Sequence, residues 1–102
     1  DESGNLVYFV RGDDASFITF ETAKGKAVTA AGFRRPTHEF QETFANNPVS
    51  WISLAEKLQL LAGPGGHPLT RDGYIIGGIG CGAHPGDFDE RCSSVGAAAI
   101  ST

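Results

Sequence analysis

The side chains able to do chemistry are few and widely spaced. His38-Glu39-Phe40-Gln41-Glu42 follows the zinc pattern H-E-x-x-H up to its last position, where Glu42 stands in place of the second histidine. Two imidazoles one helical turn apart are what that motif needs to grip the ion, so the spacing argues against a zinc protease. His84 with Asp87, Asp89 and Glu90 offers an imidazole and three carboxylates. These acids lack the alternating Asp/Asn spacing and closing Glu of an EF-hand, so a solvated acidic loop is expected and no metal site. Ser, His and Asp all occur, but no G-x-S-x-G elbow places a base beside a nucleophile. The glycines between 77 and 82 match neither G-x-G-x-x-G nor a phosphate-binding loop with its lysine, and read as a turn. Arg11-Gly12-Asp13 spells an adhesion tripeptide. A strand-end arginine beside acids is more economically an ion pair or an anion-binding group.

Cys81 and Cys92 enclose a loop rich in Gly, Pro and Asp. The chain begins at Asp1 and contains no Met, which reads as a processed or partial product and points to export. In a small secreted domain two such cysteines are expected to be bridged. Closing a loop of about 12 residues is worth on the order of 3 kcal/mol in the chain-entropy model. The rival reading is a pair of reduced, small hydrophobic side chains.

Composition bounds what must position these groups. A chain of 102 residues, 40% of them apolar, supports one modest core and a single domain over 1–102. The net charge of −4 and eight scattered Lys and Arg give no cationic stripe, so nucleic acid is not an expected partner. No apolar run is long enough for a transmembrane segment.

The expected fold class is α/β in the broad α+β sense, with a short mixed sheet, one clear amphipathic helix and one disulfide. Leu6-Val7-Tyr8-Phe9-Val10 reads as a buried strand, bounded by Asn5 and by Gly12-Asp13-Asp14, and Phe17 to Phe20 as a second. Ala27 to Ala31, closed by Gly32, fits a short helix, with a hairpin around Lys24-Gly25-Lys26 as its rival. Thr37 can cap a short helix carrying Phe40 and Phe44 on one face. The strongest signal is the next helix: Asn47 as cap, Pro48 at the first position, Trp51, Leu54, Leu58 and Leu61 at helical spacing toward a core, and Gly63-Pro64 as the stop. Residues 63 to 68 read as a loop, Tyr74 to Ile76 as a strand, and Val95 to Ile100 as a strand or helix.

Three of these segments together resemble the N-terminal part of ADP-ribosyltransferase toxins of the heat-labile enterotoxin and pertussis type. Val7 to Asp13 resembles the family's arginine-bearing first strand, Lys26 to Pro36 its short helix and Gly-Phe turn, and Cys92 to Thr102 the approach to its Ser-Thr-Ser strand. The resemblance implies that Arg11 holds the phosphates and ribose of NAD and that Ser101 and Thr102 shape a nicotinamide pocket. An arginine's planar fork suits a pyrophosphate. The family's catalytic glutamate has no counterpart before the chain stops at Thr102, and the segment from Asp14 to Gly25 lengthens the gap after Arg11. A companion chain or further segment would then be needed to complete the enzyme.

Two functions of different class follow as expectations. One is a secreted toxin or effector domain that binds NAD and is silent alone. The other is a secreted, non-enzymatic binding or inhibitor protein that meets a protein partner through the glycine- and proline-rich loops around Cys81 and Cys92. Adhesion through Arg11-Gly12-Asp13 is a third.

Overall fold

In the computed structural model, residues 1–13, 15–82 and 86–102 are described; Asp14 and His84 of the motifs above lie outside them. The described residues form four α-helices and one two-stranded sheet, in the order α1 (Ile18–Phe33), α2 (Phe40–Asn46), α3 (Pro48–Leu58), β1 (Gly66–Arg71), β2 (Tyr74–Gly80) and α4 (Gly86–Ile100), with a 3-10 turn at Thr37–Glu39. The expected α+β class holds. The sheet is a single antiparallel pair rather than a mixed one, with Gly66 opposite Gly80 and His67 opposite Ile79.

The hairpin turns at Asp72-Gly73, whose φ angles of 52° and 82° are the left-handed pair that a tight hairpin demands. Its strands sit between two helices. On one face, a Cβ at Gly78 or Gly80 would strike the backbone of α1 at Ala27 or Ala23, so the helix lies directly on the sheet. Glycine is required at both positions because backbone meets backbone. On the other face α4 packs through side chains, with Ile79 filling the space beside Gly96. The glycine run expected to be a turn is therefore a strand, and β1 begins inside the stretch expected to be a loop.

The small side chains of α1 allow this approach, and Thr29, Ala30 and Ala31 form its buried face. The helix runs through both Phe17–Phe20, expected as a strand, and the Lys24-Gly25-Lys26 hairpin alternative. It ends at Arg34 in the left-handed conformation, whose N–H bonds back to Ala30. Leu6–Val10, expected as a buried strand, has no sheet partner and is largely exposed, with Val7 at 76% and Tyr8 at 82%. A segment becomes a strand only when its N–H and C=O groups are paired, and no such pairing to Leu6–Val10 is made among the described residues.

α3 starts at Pro48 as expected but ends at Leu58, five residues before Gly63, with Gln59 capping it in the left-handed conformation. Leu54 and Leu58 are exposed, not core-facing. Trp51 engages the interior, packing on Phe33 and Phe40 at ring separations of 5.6 and 5.7 Å. Val95 to Ile100 is helix, the second half of α4.

Candidate functional site

At the open end of the hairpin a polar cluster is built from three elements and the loop that leads into β1. Thr37, fully buried in the 3-10 turn, donates its hydroxyl proton to the Gly63 carbonyl and accepts the Gly66 N–H at 2.9 Å. These two bonds lock the turn against the start of β1 and carry two side chains with them: His38 on the turn and His67 on the strand. Their rings lie 6.3 Å apart. α4 supplies the third group, since Glu90 Oε1 stands 3.1 Å from His67 Nε2 and 3.3 Å from His38 Nδ1. One turn along, the fully buried Ser93 holds His67 Nδ1 at 2.9 Å and donates its hydroxyl proton to the Glu90 carbonyl at 3.2 Å.

A second polar link lies beside it. Lys26 of α1 reaches across the end of the sheet to the Cys81 carbonyl at 3.1 Å and to Asp89 Oδ2 at 3.5 Å, with the Asp89 side chain buried and that of Lys26 12% exposed. Cys81 and Cys92, expected as a disulfide, are free thiols in this structure. Burial, reinforced by the hydrogen bond that the Cys81 thiol donates to Cys92 and by the negative charge of Asp89 and of an ionised Cys92, pushes the Cys81 thiol up from 9.0 to about 12. Lys26 pulls the other way and loses. Cys81 is thus held as a thiol, a poor nucleophile at neutral pH.

The opposite flank of the hairpin is apolar. A cleft of about 410 Å³ lies between Leu6–Phe9 and the edge of β2, walled also by Val28, Leu69, Ile76 and Ile100. Asp1, Asn5, Tyr8 and Lys24 are polar residues on its lining.

Against known families, residues 1–98 match the model of the HbpS-like haem degrading proteins. The chain belongs to the HbpS-like family. It is 34% identical over 80 residues to protein GlcG of Escherichia coli K12, an alignment that takes in 78% of this chain. The chain spans 58% of GlcG's length over that match. Among solved structures, a double mutant of Streptomyces reticuli HbpS matches with a TM-score of 0.86 and 34% identity, covering all of this chain and 68% of that one. A PduOC–haem complex matches with a TM-score of 0.85 and 31% identity, covering 98% of this chain and 73% of that one.

Family membership overturns the toxin reading and its alternative. The segments that resemble an ADP-ribosyltransferase are short, and the HbpS-like match runs through nearly the whole chain. NAD goes with it as cofactor. The structure also places the transferred residues otherwise than that reading needs. Arg11 is exposed before α1. Ser101 Oγ accepts the Thr70 N–H at 2.9 Å, and the Thr102 N–H donates to the Thr70 carbonyl at 2.9 Å, so the two residues fasten the chain end to β1. No hydrogen bond or ion pair among the described residues joins Arg11 to them.

Of the metal-ligand residues considered from sequence, His38 and Glu90 do come together, yet from two separate motifs. Glu39 instead pairs with Arg35 at 3.0 Å, and Glu42 is exposed. The residue that unites them, His67, carried no signal of its own: it stands between Gly66 and Pro68 in a stretch read as a loop, 26 positions from Ser93.

Proposed function

We propose that this chain is a haem-binding protein of the HbpS-like class. The observation that carries the reading is the family match over residues 1–98, supported by the likeness to the PduOC–haem complex. The cleft beside β2 suits the group by its donor chemistry. Its walls are aliphatic and aromatic, as a porphyrin face requires. Tyr8 offers a phenolate-type oxygen, one of the axial ligands that haem proteins use, and Lys24 offers a cation for a propionate. Bound haem would supply redox-active iron, while the apolar walls exclude water from one face of the ring. Leu6, Val7 and Val10 leave much of that flank exposed, and a companion chain closing over it would complete the burial. No helix among the described residues is long and apolar enough to cross a membrane.

Titration of the purified chain with haemin, followed by the Soret band, tests this. A shifted band saturating at one haemin per chain is expected, with Tyr8→Phe altering its position or weakening binding. A haemin spectrum unchanged by the protein overturns the reading.

A further inference from the structure

We propose that His38, His67 and Glu90 form a binding site for a divalent transition-metal ion of the zinc or iron type, separate from the apolar cleft. The three side chains come from the 3-10 turn, β1 and α4, and their candidate ligand atoms all lie within 4.8 Å of one another. Two imidazoles and one carboxylate are a borderline donor set, suited to zinc or ferrous iron rather than to calcium or magnesium.

The hydrogen bonds around the cluster decide how its protons are arranged. Ser93 has one hydroxyl proton, and it goes to the Glu90 carbonyl. Toward His67 the Ser93 oxygen can therefore only accept, which assigns the ring proton to Nδ1. Neutral His67 then turns the lone pair of Nε2 toward Glu90 Oε1, 3.1 Å away and itself an acceptor. Two acceptors at that distance repel unless a cation stands between them. A serine fixing the far nitrogen so that the near one presents its lone pair is the outer-shell arrangement of metal-bound histidines.

The spacing agrees with a metal. Ligands bonded at about 2.0–2.1 Å in a tetrahedron sit about 3.3 Å from each other. His67 Nε2 and His38 Nδ1 stand 3.1 and 3.3 Å from the same carboxylate oxygen. The second oxygen, Glu90 Oε2, is buried without a hydrogen-bond partner among the described residues. His38 is 45% exposed at its side chain, so an ion could enter past it, and a fourth position would stay open to water or another ligand.

Isothermal titration of the haem-free chain with zinc, and cobalt(II) absorption in the visible, test the site without reference to haem. One zinc per chain is expected, with His38→Ala, His67→Ala and Glu90→Gln each weakening binding tenfold or more, and Ser93→Ala weakening it less. His38→Ala lies at the exposed edge, so circular dichroism matching wild type keeps it informative if His67→Ala fails to fold. Binding that survives Glu90→Gln and His38→Ala but is lost on alkylation of the thiols would place the ion on Cys92 and overturn the proposal. The absence of zinc binding would overturn it too, identifying the cation between Nε2 and Oε1 as a proton. Haemin titration of the same variants separates the two sites: loss of zinc with haemin binding intact supports the metal site alone.

Discussion

The two flanks of the hairpin are held by different physics. At the open end, Thr37, Asp89 and Ser93 are buried polar groups, and the largely buried Lys26 joins them through directional bonds. Along the edge of β2, Leu6–Val10 lies against the sheet with most of its apolar surface in solvent. Buried polar groups are costly unless satisfied, so the first flank is rigid wherever the fold is intact. Apolar contact is non-directional and proportional to area, so the second can reshape around a ligand. Stability and metal chemistry should therefore respond to one flank, and haem binding to the other.

The sharpest way to break that contrast is to orphan a buried charge. Lys26→Met should destabilise the fold by about 3 kcal/mol, the low end for removing one partner of a buried pair, because Asp89 keeps a further interaction. Urea denaturation measures it. A loss no larger than that of an exposed lysine would show that the pair contributes nothing to holding α1 on α4. Thr37→Val keeps the shape and removes the hydroxyl, leaving the Gly63 carbonyl and the Gly66 N–H unpaired in the interior. About 2 kcal/mol is expected, together with weaker zinc binding, since the same bonds seat His38 and His67.

On the other flank the pattern should invert. Val7 is 76% exposed, so Val7→Asp should shift stability by only about 0.5 kcal/mol or less. It places a carboxylate on the wall of the cleft, and haemin affinity should fall about tenfold, the equivalent of about 1.4 kcal/mol. If haemin binds Val7→Asp as it binds wild type, the cleft is not the haem site. If the variant unfolds instead, the flank is structural and the contrast fails.

The legibility of the sequence divides along the same line. Signals that act locally were readable: Asn47-Pro48 opens α3 because a fixed φ and a missing N–H matter only to their own turn. Features whose cause is distant were not. Gly77–Gly80 forms a strand because α1 packs onto its face at Gly78 and Gly80, which no local pattern announces. Phe17–Phe20 was misread because a four-residue apolar run fits strand or helix, and the helix was decided by packing from Thr29 to Ala31. Leu6–Val10 has strand composition without a strand's partner. The site suffered likewise: His38 and Glu90 were noticed within separate motifs, while His67 acquired meaning only through a serine on another element.

At neutral pH the smallest expected effect concerns Cys81, which borders the polar end but is not one of the three proposed ligands. Its proton is held more tightly in the folded chain, where the thiol titrates at about 12, than in the unfolded chain at 9.0. The folded state therefore binds more protons between those values, and stability must fall as pH rises through them. Below 9.0 both states carry the proton and the contribution is complete; above about 12 both have lost it and the contribution is gone. Urea midpoints compared across that window should decline more steeply for wild type than for Cys81→Ala. Equal slopes would mean that Cys81 ionises as freely in the folded protein as in the unfolded one. In that case the thiol would be open to Cys92 and to oxidants, and mild oxidation should join the pair with the loss of two hydrogens from the intact mass. A slope confined to wild type instead means that the fold keeps Cys81 protonated, so that Cys92, exposed on α4, is the thiol that reacts first.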